Sequence, residues 1–348
     1  MSYIRLAGIA VLLFMTAGLA IAQGPNRTVG RNVPVQPPPE PVESPDVDDR
    51  FALSIDVDVH NIDVVVTDDD DQPLTGLERE DFRIFVDDAE QRITNFRPTD
   101  SPLTVVLLIE FANTFGWYYD DVIQPAAGFI QSLREDDWAA IVSYDLEMEI
   151  ITDFSQNQNQ LFAGLSSLTY PDFSETNLYD AVNFTLDRLE NVDGKKAIFL
   201  LSTGFDTFSR ANYGDTLRRA EETDTMIYSV GMGQMFRTMY ENRLGAVDRM
   251  SFLQAEVALR SIAENSGGRA WFPRFRGEYP SIYETVSLMM RNQYSIGFVP
   301  TNIDQDDDLR KIRVEVRDID LDGNGKPDKL RIRHKKGFYN DPAAEDAD

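Results

Sequence analysis

The sequence predicts a doubly wound α/β sheet, mostly parallel, flanked by a small β-sandwich-like module built from N- and C-terminal strands. Three observations carry this. Strand-like apolar runs alternate with amphipathic helical stretches between residues 103 and 292, the pattern of a sheet covered on both faces. Residues 51–98 instead show apolar side chains at every second position, as half-buried antiparallel strands do. The same period-two pattern returns after Gln293.

The central region begins with "TVVLLIE", a continuous apolar, β-branched run fit for a strand buried on both sides. A helix is expected over 118–134, then the strands "WAAIVSYD" and "EMEIITDF" and a helix near 157–167. "LYDAVNFTLDRLE" reads as an amphipathic helix and "KKAIFLLST" as a strand. A helix near 213–223 leads to the strand "TMIYSVGMG". An insert containing Met and Arg, 234–252, precedes a helix at 253–265. "GGRAWFP" is a short strand and 279–292 a helix. In such sheets ligands bind at the carboxyl ends of strands, which directs attention to Glu110, Thr176 and Thr203.

In the first β unit, the apolar phase set by Phe51, Leu53, Ile55, Val57 and Val59 flips at His60-Asn61, which suggests a β-bulge. "DFRIFVDDAEQRITNF" reads as a hairpin turning at Asp87-Asp88. After Gln293, "QYSIGFV", "KIRVEVR" and "KLRIRH" alternate as strands. They are expected to pack with 51–98, so that the α/β region is an insertion between two halves of one β module or is flanked by two small ones.

The ends of the chain have their own character. Residues 1–22 carry one positive residue, Arg5, an apolar stretch and an Ala20-Ile21-Ala22 motif, the marks of a signal peptide cleaved near Ala22. An uncleaved N-terminal anchor is the alternative. The expectation is a secreted protein, periplasmic or extracellular, with no membrane span in the mature chain. Residues 23–50 include "VPVQPPPEPVESPD", a semi-rigid tether, and 340–348 form an acidic tail. The chain has no cysteine and a net charge of −26. Disulfides and thiolate metal sites are thereby excluded, and a nucleic-acid partner is disfavoured. The acidity suits cation binding or serves solubility alone.

Three segments resemble a von Willebrand factor A-type domain: the strand end "LLIEFANT", the loop and helix "SETNLYDAV" and the strand and turn "IFLLSTGFD". The flanking "LTGLEREDFRIFVDDAEQRITNF" and "NQYSIGFVP…KIRVEV…KKGFY" resemble the secreted bacterial, acidobacterial-type VWFA-related proteins. The resemblance covers most of 51–339. It implies a Rossmann-like A-type domain over 103–292 and a protein ligand, bound through a metal-ion-dependent adhesion site on the top face. Such a site uses an Asp-x-Ser-x-Ser turn, a Thr on a second loop and an Asp on a third, and holds Mg²⁺ with one position open. By position these correspond to Glu110, Ala112, Thr114, Thr176 and Thr203. One carboxylate and three hydroxyls remain, a degenerate set for Mg²⁺. Asp206 lies three residues further on, within reach of swinging in. In the other reading the hydroxyls cap loops and helix N-termini, with Thr176 before "NLYDAV" as a cap. Phe111, Asn113, Trp117 and Tyr118, with Tyr119 beside them, would line the binding face or pack beneath a loop.

A second constellation, "DIDLDGNGKPDKLRIRH" in 293–339, spaces Asp320, Asp322, Asn324 and Asp328 as positions 1, 3, 5 and 9 of a calcium loop, with Gly325 at position 6. Asp318 is an additional candidate ligand. Position 12 is Arg331 and strands flank the loop. An ion-free Asp/Gly/Asn turn fits the same residues. The acid runs 68–71 and 304–308 read as solvated turns.

The two histidines, His60 and His334, belong to no acid–base constellation, and no nucleophile elbow or phosphate loop occurs. The expectation is a secreted, non-enzymatic interaction or adhesion-type protein whose partner the sequence does not name. A structural or assembly component of the cell envelope is the alternative, and a hydrolase the less favoured one.

Overall fold

The structure is a computed structural model describing residues 59–97, 102–112, 118–168, 173–301, 309–320 and 325–339. Residues 1–22, the tether and the acidic tail lie outside the described residues, as do Phe51, Leu53, Ile55 and Val57.

Six strands form the central sheet: β5 (Leu103–Glu110), β6 (Trp138–Tyr144), β7 (Met148–Ser155), β8 (Lys195–Ser202), β9 (Met226–Gly231) and β10 (Arg269–Trp271). Their order is β10-β9-β8-β5-β6-β7. All neighbours run parallel except the edge strand β7, which returns antiparallel to β6 through a tight hairpin. Alternation along β5 sends Val105, Leu107 and Ile109 to one face and Val106 and Leu108 to the other. Both faces are dry, which is why the run is continuously apolar. The first face is covered by α1 (Tyr118–Ser132), α2 (Gln158–Ser167) and α7 (Tyr279–Arg291). The second is covered by α3 (Leu178–Glu190), α4 (Tyr213–Glu222) and α6 (Ala246–Asn265).

The Met- and Arg-containing insert, to which the sequence reading assigned no element, is helical. It comprises α5 (Gly233–Tyr240) and the first turns of α6, which begins at Ala246 rather than near residue 253. Gly245 hid this boundary. It occupies the N-cap position, and its backbone N–H is held by the Asp248 carboxylate, so it opens a helix rather than interrupting one.

The flanking strands form two four-stranded antiparallel sheets. One has the order β13 (Arg331–Arg333), β1 (His60–Thr67), β11 (Tyr294–Phe298), β4 (Ile93–Arg97). The other has the order β14 (Gly337–Phe338), β12 (Arg310–Val316), β2 (Phe82–Val86), β3 (Ala89–Gln91). Each sheet mixes strands from before and after the α/β region, and one core containing Val64, Ile84, Ile296 and Val314 lies between them. The α/β region is therefore inserted into one β module. The hairpin turns where the sequence indicates, with Asp87 and Asp88 both at positive φ (46° and 65°). That conformation suits the right-handed twist of the paired strands, and Asp tolerates it.

The pairing of β1 with β11 runs unbroken from His60 to Val64, so the anticipated bulge at His60 is absent. A register shift occurs instead between Gly297 and Phe298, where β11 pairs with β4. His60 packs its ring 4.1 Å from that of Phe338, a structural role.

Val65, on the outer side of β1, joins the core under α1 and α7 and so continues the α/β packing into the β module. The acid run 68–71 is not wholly solvated. Asp71 forms ion pairs with Arg331 at 3.0 Å and with Arg269 of β10, which ties the β module to the central sheet. Asp68 closes the turn by accepting the N–H groups of Asp70 and Gln72. No described helix is long and apolar enough to cross a membrane.

Asp63, on the same side of β1 as Val65, is pushed up to about 6, chiefly by desolvation. Asp224 adds to the rise, while Ser295, Lys195 and Lys335 oppose it. The folded value lies above the 3.8 of the free group, so the folded chain holds an extra proton between these pH values. Its contribution is complete below the lower value and is lost as pH rises through about 6. Asp63→Asn is expected to flatten the fall in melting temperature between about pH 4 and 6. A fall of the same size in the variant would show that Asp63 is not its source.

Candidate functional site

The parallel registers align Glu110 of β5 with Tyr144 of β6 and place Ser202 of β8 one residue past the Ile109–Leu201 pair. Three adjacent strands therefore end in polar residues at the carboxyl edge of the sheet. All three are buried, with Glu110 at 4% exposure.

The Glu110 carboxylate is enclosed by donors. Ser202 Oγ donates to Oε2 at 2.8 Å and the Thr203 backbone N–H at 2.7 Å. Thr203 Oγ1 lies 2.7 Å from Oε1. The Tyr144 hydroxyl donates to Ser202 Oγ at 2.9 Å, and the Gly204 N–H reaches the same oxygen at 2.9 Å. Ser202 thus accepts two hydrogen bonds and passes its own proton toward Glu110. Burial raises the Glu110 pKa, and the Thr203 and Ser202 donors oppose that rise. Burial, reinforced by the charge of Glu110, holds the Tyr144 hydroxyl well above its ordinary range.

Thr176, Thr203 and Asp206, assigned to the metal site, each have a hydrogen-bond partner within the protein. Thr203, which stands where the family's third-loop Asp would be, turns both its N–H and its hydroxyl onto Glu110. Thr176 does not cap α3, as anticipated. Asn177 occupies the N-cap position, and the Thr176 hydroxyl donates to the Phe205 carbonyl at 2.8 Å. The Thr176 carbonyl in turn accepts the N–H groups of Thr207 and Phe208. Asp206 does not swing toward Glu110. Its carboxylate accepts Ser209 Oγ at 2.5 Å and the Tyr179 N–H at 3.2 Å, at the start of α3. Ala112 is buried. Phe111 is partly buried against the core and pairs its N–H with the Tyr144 carbonyl, so it is not an open contact residue. Asn113, Thr114 and Trp117 lie outside the described residues, and Tyr118 opens α1.

The described part of this donor set, which does not include Thr114, offers Mg²⁺ a single carboxylate. The ion requires several hard oxygens with lone pairs converging on one point, usually with carboxylate help. Here the surrounding groups aim protons at a single carboxylate. Among the described residues, no three acidic or histidine side chains gather as a metal group. The longer side chain of Glu110 reaches across to β8, where Thr203 supplies the neutralising donors.

The loop 203–208 leans on α6. Gly204 has φ +84°, and a Cβ there would sit 2.6 Å from the Ala255 carbonyl oxygen, so only glycine fits. Phe205 meets Phe252 edge to face at 5.1 Å. Phe208, 65% exposed, stands on this loop beside Thr176. Sequence reasoning did not single out Tyr144, Ser202 or Phe208. The available signal for the first two was a polar residue ending each apolar strand next to the one that ends in Glu110.

The calcium-like loop is partly described. The Gly325 N–H donates to Asp320 Oδ2 at 2.7 Å, with Gly325 at φ +81°. The Asp328 N–H closes on the Ile319 carbonyl at 2.7 Å. Asp318 is exposed, while Asp322 and Asn324 lie outside the described residues. The first-position acid and the sixth-position glycine are thus joined as a turn of either kind requires. His334 holds the Lys335 carbonyl through Nδ1 at 2.7 Å and is partly buried just after β13.

The sheet order, the single antiparallel edge strand and the helices on both faces define the fold of a von Willebrand factor A-type domain, here inserted into a β-sandwich. No family model matches the chain, and no curated protein matches it. Among solved structures, it is similar to the conserved hypothetical protein BatB from Bacteroides thetaiotaomicron, at 13% identity and TM-score 0.41 over 54% of this chain and 98% of that one. It is also similar to the vWF domain of the type V pili tip protein Mfa5 from Porphyromonas gingivalis, at 12% identity and TM-score 0.39 over 55% and 95%. A von Willebrand factor type A protein from Catenulispora acidiphila aligns at 10% identity and TM-score 0.43 over 81% and 75%.

Thr203→Val removes the hydroxyl donor and leaves a buried carboxylate short of partners. The expected loss is about 2–3 kcal/mol of folding stability by denaturant titration. Glu110→Gln/Thr203→Val removes charge and donor together and should recover part of it. A Thr203→Val variant as stable as the parent would show that this bond does not hold the site.

Proposed function

We propose that the chain is a secreted, non-enzymatic protein-binding module that uses the top face of its A-type domain without a bridging metal. The observation that carries this is the saturation of Glu110 by Ser202 and Thr203. The carboxylate that would anchor a cation is neutralised from within the protein, so recognition falls to the loops around it. Phe208, exposed on a loop pinned to Thr176, is the apolar contact these loops offer. A pinned loop loses little entropy on binding. The Pro-rich tether at 23–50 and the signal-like segment at 1–22 suit display away from the membrane in the cell envelope or outside the cell, as in the acidobacterial-type proteins that the flanks resemble. A role in envelope assembly would use the same face.

The loop around Asp320 and Asp328 is proposed as a weak calcium site that stiffens the β module, on the spacing of its oxygen-bearing residues. Extracellular modules bind calcium at roughly 10⁻⁴–10⁻³ M. Millimolar calcium is therefore expected to raise the melting temperature, and Asp320→Asn to abolish the rise. Identical melting curves in calcium and in chelator would remove the calcium reading.

For the top face, the immobilised protein should retain the same envelope protein from a membrane-free extract in EDTA and in Mg²⁺. Phe208→Ser should lose that protein with no change in melting temperature. Capture that requires Mg²⁺ would overturn the metal-free reading, and turnover of a substrate from a hydrolase panel would overturn the non-enzymatic one.

A further inference from the structure

Helix α6 is apolar on two opposite sides. Phe252, Ala255, Leu259 and Ile262 face the sheet and are buried. On the other side, Val247, Met250, Leu253 and Val257 are 79%, 56%, 45% and 55% exposed. A helix with apolar residues around its circumference is ordinarily covered on both sides, and no described element covers the second stripe. Met239 of α5 is also exposed, at 51%, and α5 packs beside α6, where Phe236 stacks on Phe252.

The spacing 250, 253, 257 is the alternating three-and-four step of a helix-pairing seam. It is also self-complementary when two copies run antiparallel. Val247 then stands opposite the partner's Val257, and Met250 opposite the partner's Leu253. A two-fold interface needs this reciprocity, in which residue i meets j and j meets i. Charge points to the same occupant. The chain carries −26 overall, so most of its surface repels a second copy. Residues 233–265 hold four arginines and four acidic residues, a net of zero. The stripe and Met239 together offer on the order of 400–500 Å² of apolar surface per copy, against about 800 Å² per partner in a standard interface. That places the pair in the weak class.

We infer that the outer face of α6 is a self-association surface, on which two copies of this chain pair through antiparallel α6 helices. This leaves the loop 203–208 free, because that loop contacts the opposite side of α6. Two top faces would then be carried by one dimer, and bivalent attachment raises avidity without new contacts.

Sedimentation velocity across a concentration series tests the inference directly. The protein should dimerise at tens of micromolar, and Val257→Glu should weaken the dimer at least tenfold with an unchanged melting temperature. The chain is free of cysteine, so the variant Met250→Cys/Leu253→Cys reports on the register. Mild oxidation should give a covalent dimer, whereas the control Phe208→Cys should give none above background. A protein that stays monomeric at several hundred micromolar would overturn the inference. So would a dimer indifferent to Val257→Glu, or cross-linking no greater than in the control. These readouts do not depend on any ligand of the top face.

Discussion

A carboxylate buried at the carboxyl end of the central strand must be neutralised, and the upper half of the α/β domain is organised around that requirement. Glu110 ends β5, between the ends of β6 and β8. With water excluded, its charge survives only where donors surround it. Ser202 and Thr203 supply them from β8, and Tyr144 steadies Ser202 from β6. Once Thr203 is fixed, the loop behind it follows. Gly204 passes against α6, Phe205 packs on Phe252, and Thr176 gathers Phe205, Thr207 and Phe208 onto the start of α3. The hydrogen bonds of one buried carboxyl group thereby lead into two surface loops.

The same arrangement is the basis for proposing a face without a bridging metal. A divalent cation and a set of hydrogen-bond donors are alternative ways to neutralise one carboxylate, and they require opposite orientations of the surrounding hydroxyls. A ligand to a cation offers a lone pair, whereas a partner to a carboxylate offers a proton. Thr203, where the resemblance implies an acid, offers protons to Glu110.

The β module faces a different constraint. Its two sheets are assembled from segments separated by nearly two hundred residues, so neither segment has a complete core by itself. Closure depends on the α/β domain returning the chain beside its starting point. Val65 under α1 and α7, and Asp71 between Arg331 and Arg269, couple the two parts. Asp63 sits at this junction with a raised pKa, so the junction is sensitive to acidity.

Much of the fold was legible along the chain because it depends on local periodicity. The continuous apolar run of β5, the alternation in 51–98 and after Gln293, and the Asp87-Asp88 turn each declare their structure within a few residues. The position of Glu110 at a strand's carboxyl end was legible for the same reason. Other features were not, because they depend on register and on contacts across space. Asn177 rather than Thr176 occupies the helix cap, since Thr176 finds a carbonyl on another loop. The insert before residue 253 is helical because Gly245 can open a helix as well as break one. Tyr144 and Ser202 look like ordinary strand residues until parallel pairing sets them beside Glu110. Sequence alone determined the layers and the edge on which a site would lie. Tertiary structure decided what that site is, because whether a hydroxyl gives its proton or its lone pair depends on which neighbour the fold places against it.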